Sequence, residues 1–406
     1  MNMQNNENKR VAVAGRIEPQ VNRYYLKISR RYMVAGIAMM ILLLLYVICV
    51  MSFFGEYVTY DNLKYLARDF EAMTLPGSSD FTPIVYTGRE NMRFAYFKNG
   101  LAVSDGESYF YYDASGVSLI EETVGYADPV LVPSDKYLLA YDLGSGGYSV
   151  YNQLTRIIER ESSMPIIDGD IASDGTMVIA SRSRDTKYVV DVYNSAFNRT
   201  MSIYKENYVL AAEISDDGDY IIICSAIPAD TGFNCEIEIC QNGQSEKVFC
   251  GTYENTMPLD AYAYKEGFAV LCDKGVYFFA YDGHMINGST FTGMSLRFAD
   301  ICAETAAAVG NVNALGSENR VIVYSTDGNI LYDKEIRERI TGVYASVNTS
   351  DALVYYTTSD SVKKVLPDGQ IISVSVESGD VLDVIPDKNG ALICYKNGAE
   401  HHSFND

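Results

Sequence analysis

From Met92 to the C-terminus, short apolar runs alternate with polar turn residues, and this alternation sets the expected architecture. Runs such as FAYFKNG, SYFYYD, KYLLAYD, TMVIAS, YIIICSA, VYFFAYD and ALICYKN are rich in Tyr, Val and Ile. Most are bounded by Gly, Asp or Asn, which is how β-strands read. Asp-Gly recurs at 105, 168, 174, 217, 282, 327 and 368, and Asn-Gly at 99, 242, 287, 389 and 397. These dipeptides tolerate the positive φ that tight hairpins require. No long helical pattern interrupts the series.

The pattern also repeats as a unit. DIASDGTMVIAS at 170–181 returns as ISDDGDYIIICS at 214–225. Aligned in this way, units open near Arg93, Ala127, Pro165, Val209, Pro258, Met294, Thr341 and Asp380, at spacings of 34 to 49 residues. A period near 40 with about four strands per unit is the signature of a β-propeller blade. Such a unit cannot bury both faces alone. The last unit, DVLDVIPDKNGALICYKNG, supplies two strands, and FTPIVYT at 81–87 is an orphan strand ahead of the first unit. Pairing the two would close the ring and remove an exposed sheet edge. The expectation is an all-β propeller over 81–406, with eight blades and a split closing blade; seven blades is the alternative. The ring is WD40-like in period, although the chain has no Trp and so no WD dipeptide.

Upstream the pattern changes twice. MVAGIAMMILLLLYVICVMSFF, Met33 to Phe54, has no ionisable group except Tyr46 and Cys49. A hydrocarbon core about 30 Å thick needs roughly 20 such residues in a helix, so 33–54 reads as one uncleaved transmembrane anchor. In TYDNLKYLARDFEAMTLPG, Leu63, Leu66, Phe70 and Met73 draw one apolar stripe, ended by Pro76 and Gly77. This predicts a short helical stalk within 55–80. Residues 1–32 read as a basic, polar tail.

Charge gives the anchor a direction. The first 32 residues carry seven Lys or Arg against Glu7 and Glu18, net 7 − 2 = +5; from Gly55 onward 25 bases face 51 acids, net 25 − 51 = −26. Lys27, Arg30 and Arg31 abut the apolar run on its N-terminal side. The positive-inside tendency then predicts a single-pass membrane protein with a cytoplasmic N-terminus and an extracytoplasmic C-terminal domain. The acidity of that domain argues against nucleic acid and favours basic proteins, peptides or cations as partners.

Candidate chemistry is sparse. His284 follows an Asp-Gly turn and reads as a solvated turn residue, while His401 and His402 read as chain end. No G-x-S-x-G elbow or H-E-x-x-H helix accompanies them. DGDIASDG at 168–175 resembles a calcium loop, but the required ligand position two residues after Asp170 is Ala172. Asp168, Asp170 and Asp174 therefore read as strand-end and turn carboxylates, as do those of SDDGD at 215–219. Cys49 lies in the apolar run; Cys224, Cys235, Cys240, Cys250, Cys272, Cys302 and Cys394 lie beyond it, and no C-x-x-C is present. Buried thiols are expected at most of these positions. A local disulfide among Cys224, Cys235, Cys240 and Cys250 is geometrically possible. No catalytic, cofactor or metal residue is assigned.

The basic tail, the anchor, the YDNLKYL helix, FKNGLAVS at 97–104 and PSDKYLLAYDLGSG at 133–146 together resemble a family of membrane-anchored propellers of unknown function in Gram-positive, clostridial-type bacteria. The resemblance implies a bacterial envelope setting, in which the sequons at Asn198, Asn287 and Asn348 are not glycosylated, and it carries over no catalytic residues. The leading functional expectation is an extracytoplasmic interaction platform that binds an envelope protein, peptide or polymer. Its rival is an envelope hydrolase or lyase using carboxylates at the mouth of the ring, since paired carboxylates alone can run glycoside chemistry. A ligand sensor is a third reading. Whether the chain is an enzyme stays open at this stage, with the sequence leaning against it; oligomeric state is not fixed.

Overall fold

In an antiparallel strand successive side chains point to opposite faces, so a run that is apolar at every position must be covered on both sides. In the computed structural model this is how the ring is built. The structure describes residues 23–54, 82–87, 91–244, 246–313, 318–376, 379–387 and 390–404. Its strands form eight four-stranded antiparallel sheets. After β1 (Ile84–Val85), blade 1 holds β2 to β5 (Arg93–Phe97, Gly100–Ser104, Ser108–Tyr112, Ser118–Thr123) and blade 2 holds β6 to β9 (Pro129–Pro133, Leu138–Asp142, Gly147–Tyr151, Arg156–Glu161). Blade 3 has β10 to β13 (Ile166–Ile171, Met177–Arg182, Tyr188–Tyr193, Arg199–Lys205), and blade 4 has β14 to β17 (Tyr208–Ile214, Tyr220–Ala229, Gly232–Gln241, Lys247–Tyr253). Blade 5 follows with β18 to β21 (Pro258–Tyr264, Gly267–Cys272, Gly275–Phe279, Met285–Thr290), and blade 6 with β22 to β25 (Ser295–Ile301, Thr305–Asn311, Asn319–Ser325, Ile330–Ile336). Blade 7 comprises β26 to β29 (Gly342–Ala345, Val354–Thr357, Ser361–Val365, Ile371–Ser375), and blade 8 adds β30 to β32 (Val381–Asp387, Gly390–Tyr395, Gly398–His402). The observed first strands open within two residues of every expected unit start.

The second strands show the packing rule most plainly. In β7 the residues Leu138 and Ala140 join a cluster with blade 1, whereas Leu139 and Tyr141 join one with blade 3. In β15 Ile221 and Ile223 face blade 3, and Ile222 and Cys224 face blade 5. There are eight such apolar clusters, one at each seam between neighbouring blades, from blades 1 and 2 round to blades 8 and 1. A continuous apolar run is thus two period-2 faces superimposed.

The ring closes as expected from 81–87, with one correction. β1 pairs with β32 through Ile84↔Ala399 and Val85↔Gly398, so the orphan strand does complete the last blade. However, that blade takes three strands from the C-terminal end rather than two. His401 and His402, expected in a loose chain end, lie in β32 instead.

Six of the seven Asp-Gly pairs have glycine at positive φ, including Gly175 at 94° and Gly218 at 76°. The exception is Asp168-Gly169, which sits in the middle of β10.

The N-terminal unit contains α1 (Arg23–Phe54), which starts inside the segment expected as tail. Its Lys27–Ile48 stretch has a mean hydropathy of 2.2 and no burial. At 1.5 Å per residue, 22 residues reach about 33 Å, enough to cross a membrane. Residues 1–22 and the expected stalk at 55–80 lie outside the described residues.

Candidate functional site: an acidic channel with an apolar collar

The first strands of successive blades adjoin one another around a common axis and line the centre of the ring. Each is the free inner edge of its sheet, so its outward N–H groups need acceptors. Carboxylates supply them from the neighbouring blade. Ala212 N–H donates to Asp168 Oδ2 over 2.7 Å, Ile214 N–H to Asp170 Oδ2 over 3.0 Å, and Ala345 N–H to Asp300 Oδ2 over 2.7 Å. Asp260 and Asp383, among the described residues, accept the N–H of the next residue, at 2.9 Å each.

These acids crowd one another inside the ring. Burial pushes Asp168 and Asp300 up to about 6 and Asp383 up to about 7, in the last case helped by Asp300 and opposed by Arg93. Glu213 is raised well above the usual carboxylate range by burial and then by the nearby carboxylates of Asp170, Asp168 and Asp260. Burial followed by Asp168 also raises Asp260. Asp260 itself is exposed in the channel, where solvent screens its charge. Five blades contribute acids, and blade 1 contributes Arg93, paired with Asp128 at 3.1 Å.

One mouth of the channel, at the start of the first strands, carries exposed leucines together with Arg297. Five first strands carry a β-bulge near their start, at Ile166/Asp168, Val209/Ala211, Pro258/Asp260, Leu296/Phe298 and Val381/Asp383. A bulge re-aims the side chain of the extra residue. The residues skipped are Ile167, Leu210, Leu259, Arg297 and Leu382. Three of them, Leu210, Leu259 and Leu382, are exposed large hydrophobics on innermost strands. An open cavity of about 470 Å³ lies on this side between blades 2 and 3, lined by Leu143, Gly144, Pro165, Ile166, Ile167 and Arg182. It contains no carboxylate.

The structure separates the acids of the calcium-like stretch. Asp168 is a mid-strand residue of the channel, whereas Asp170 is the last residue but one of β10, as expected of a strand-end carboxylate. Asp174 lies in the following turn, where it accepts from Thr176 N–H and Oγ1 at 2.7 and 2.8 Å. Asp217 likewise accepts from Ser215 Oγ and Asp219 N–H. His284 is exposed, with its N–H on Asp282, as expected of a turn residue. His401 is not solvated: it is buried, with Nε2 3.0 Å from the equally buried Asp387 Oδ2 but out of line for a hydrogen bond, so the contact is ionic when the ring is protonated.

Glu213, Asp260, Asp300 and Asp383 were not singled out by sequence. Their signal was an acid recurring inside otherwise apolar first strands (AAEI, PLDAYAY, FADI, VLDVI). A second acidic group, Glu236, Glu238 and Cys250, is close enough to hold a metal. Both Lys205 and Lys247 already bind Glu238 Oε1, the latter at 2.7 Å. Burial opposes ionisation there, yet these lysines hold Glu238 below its ordinary value. Two ammonium groups at the donor atoms do not suit a cation.

The model of a family of unknown function, DUF5711, matches residues 84–401, most of the chain. The chain belongs to DUF5711. The matched span runs from the first residue of β1 into β32, so the DUF5711 region includes both strands that close the ring. A search of curated proteins gives no match. Among solved structures, this DUF5711 ring is similar to dihydro-heme d1 dehydrogenase NirN, at 12% identity and a TM-score of 0.51, over 72% of this chain and 67% of that one. It is also similar to the β-propeller domain of Cps50 (Swd1) from Myceliophteria thermophila (12% identity, TM-score 0.47, 73% and 98% covered) and to Kuenenia stuttgartiensis hydrazine synthase (13%, 0.45, 75% and 98%). At such identity the likeness is one of fold.

Proposed function

We propose that this DUF5711 chain is a single-pass, membrane-anchored platform whose propeller lies outside the cytoplasm and binds a basic envelope protein or peptide at the channel mouth. The observation that carries the reading is the ring of channel carboxylates below a collar of exposed leucines. Such a mouth complements a cationic group flanked by apolar ones, and the net charge of −26 beyond the anchor adds long-range attraction. The location is supported by the charge step across α1.

The test uses the full chain in detergent and a lysine- and leucine-containing peptide as probe. Binding should weaken as salt rises, because the Debye length falls from about 10 Å at 0.1 M to about 3 Å at 1 M. Replacing Asp260 and Asp383 by Asn should weaken it further. Salt-insensitive or absent capture, together with release of product from wall material, would replace the platform by the hydrolase or lyase reading. Protease added to intact, wall-stripped cells should remove the propeller; a protected propeller rejects the topology.

A further inference from the structure

The cavity of about 470 Å³ between blades 2 and 3 differs from the channel in its chemistry. Leu143, Pro165, Ile166 and Ile167 form its walls, and Arg182 is its one charged lining residue. Backbone contacts hold those walls in place. Leu143 forms a parallel bridge with Ile166. Gly144 N–H donates to the Ile166 carbonyl over 2.8 Å, Ile166 N–H to the Ser145 carbonyl over 2.6 Å, and Arg182 N–H to the Pro165 carbonyl over 3.0 Å. Ile167 is the extra residue of the β10 bulge, so its aim is set by the strand. The concavity is therefore preformed. Arg182 is exposed, and among the described residues its guanidinium has no carboxylate partner. Arg93, Arg156, Arg199 and Arg320 all pair with Asp or Glu. An unpaired arginine beside apolar walls stands out where 51 acids face 25 bases beyond the anchor.

We propose that this cavity is a binding site for an aliphatic monocarboxylate, with the carboxylate on Arg182 and the hydrocarbon body against Leu143, Pro165 and Ile167. The planar fork of a guanidinium offers two parallel donors that match one carboxylate. No acid of the cavity lining competes for that fork or repels the incoming anion. A phosphate dianion calls for a second cation, which the lining lacks, and the net charge of −26 beyond the anchor opposes a dianion more than a monoanion. An amine finds no counter-charge among these walls. The volume falls within the range of small-ligand sites. Two sources share this chemistry: the chain end of a peptide finishing in Leu, Ile or Val, and a free branched acid. The site uses none of the channel carboxylates, so it stands or falls apart from the platform reading.

Equilibrium dialysis of the full chain in detergent, with protein-free micelles as the blank, tests the site against radiolabelled N-acetyl-leucine, N-acetyl-leucinamide and 4-methylpentanoate. N-acetyl-leucine should bind saturably and about tenfold more tightly than its amide, the worth of one charge-assisted pair. Arg182→Gln should melt like the parent and bind acid and amide alike. Leu143→Asp, which places an anion on the wall, should also weaken uptake of the acid. Tighter binding of N-acetyl-leucine than of 4-methylpentanoate supports a peptide chain end, and the reverse order supports a free acid. Absence of saturable binding at millimolar probe, equal uptake of acid and amide by the parent, or acid binding untouched by Arg182→Gln overturns the proposal. The Asp260→Asn, Asp383→Asn variant should keep the acid while losing the lysine-containing peptide; loss of the acid as well would overturn a site separate from the channel.

Discussion

The hydroxyl of Tyr86 lies 2.7 Å from the carbonyl oxygen of Gly398, and equally close to that of Tyr395. One side chain just after the first strand thus clasps both ends of the last turn. Since β1 pairs over only two residues, this clasp adds to the apolar packing of Ile84 and Tyr86 in fixing β1 to the last blade. Tyr86→Phe should lower stability by about 1–2 kcal/mol, and deleting residues 81–87 should cost far more by exposing a sheet edge in blade 8. Thermal unfolding checks both; unchanged melting of the deletion variant would reject the closure.

Within the same blade, His401→Ala removes a buried side chain that packs beside Asp387. Emptying a buried site costs about 2 kcal/mol, so this variant should show a clear loss in denaturant unfolding. His284→Ala, at an exposed turn, should melt like the parent.

The channel acids make stability depend on pH. Asp383 titrates near 7 in the folded ring and near 4 in an unfolded chain. Between those values the folded state binds more protons, so stability falls as pH rises through the window and levels off above it. Asp383→Asn removes the penalty and keeps an acceptor for Val384 N–H. It should be more stable than the parent at pH 8, by about 1–2 kcal/mol after screening by channel water, with the difference vanishing near pH 4. A variant that tracks the parent at both pH values would count against crowding of the acids.

The seam between blades 3 and 4 offers an independent check. Lys205 is buried against Glu236 and Glu238 of the next blade. Lys205→Met should therefore destabilise the ring by roughly 3 kcal/mol, because Glu238 keeps its burial and loses one of two cations. Conversion of both Lys205 and Glu238 to apolar residues should recover part of the loss, as a double-mutant cycle would show.

The blades were legible because strand period and turn chemistry are local. The run KYLLAYD announces a strand covered on both faces, and Asp-Gly at 174, 217, 282, 327 and 368 marks real turns. The channel was not legible for a related reason: Asp168-Gly169 has the composition of a turn, but its carboxylate is needed by Ala212 of the next blade, a demand set 44 residues away. Local propensity yields at such positions. His401 reads as chain end for a similar reason, since its contact with Asp387 arises only when β32 pairs as a further strand beside β31. The polar pattern of the tail carried no trace of that contact.

Because each second strand deals its side chains alternately to the two neighbours, the molecule has eight separate adhesive joints instead of a shared interior. This bears on how such a chain can lengthen by gene duplication. A copied blade inserted beside its parent already matches the following neighbour with its trailing face, and the parent keeps the preceding neighbour with its leading face. One junction alone is new, where parent and copy meet. Compensating substitutions should accordingly appear in pairs that bridge adjacent blades, such as positions 139 and 179 across the joint between blades 2 and 3, while the two faces of any one strand drift independently.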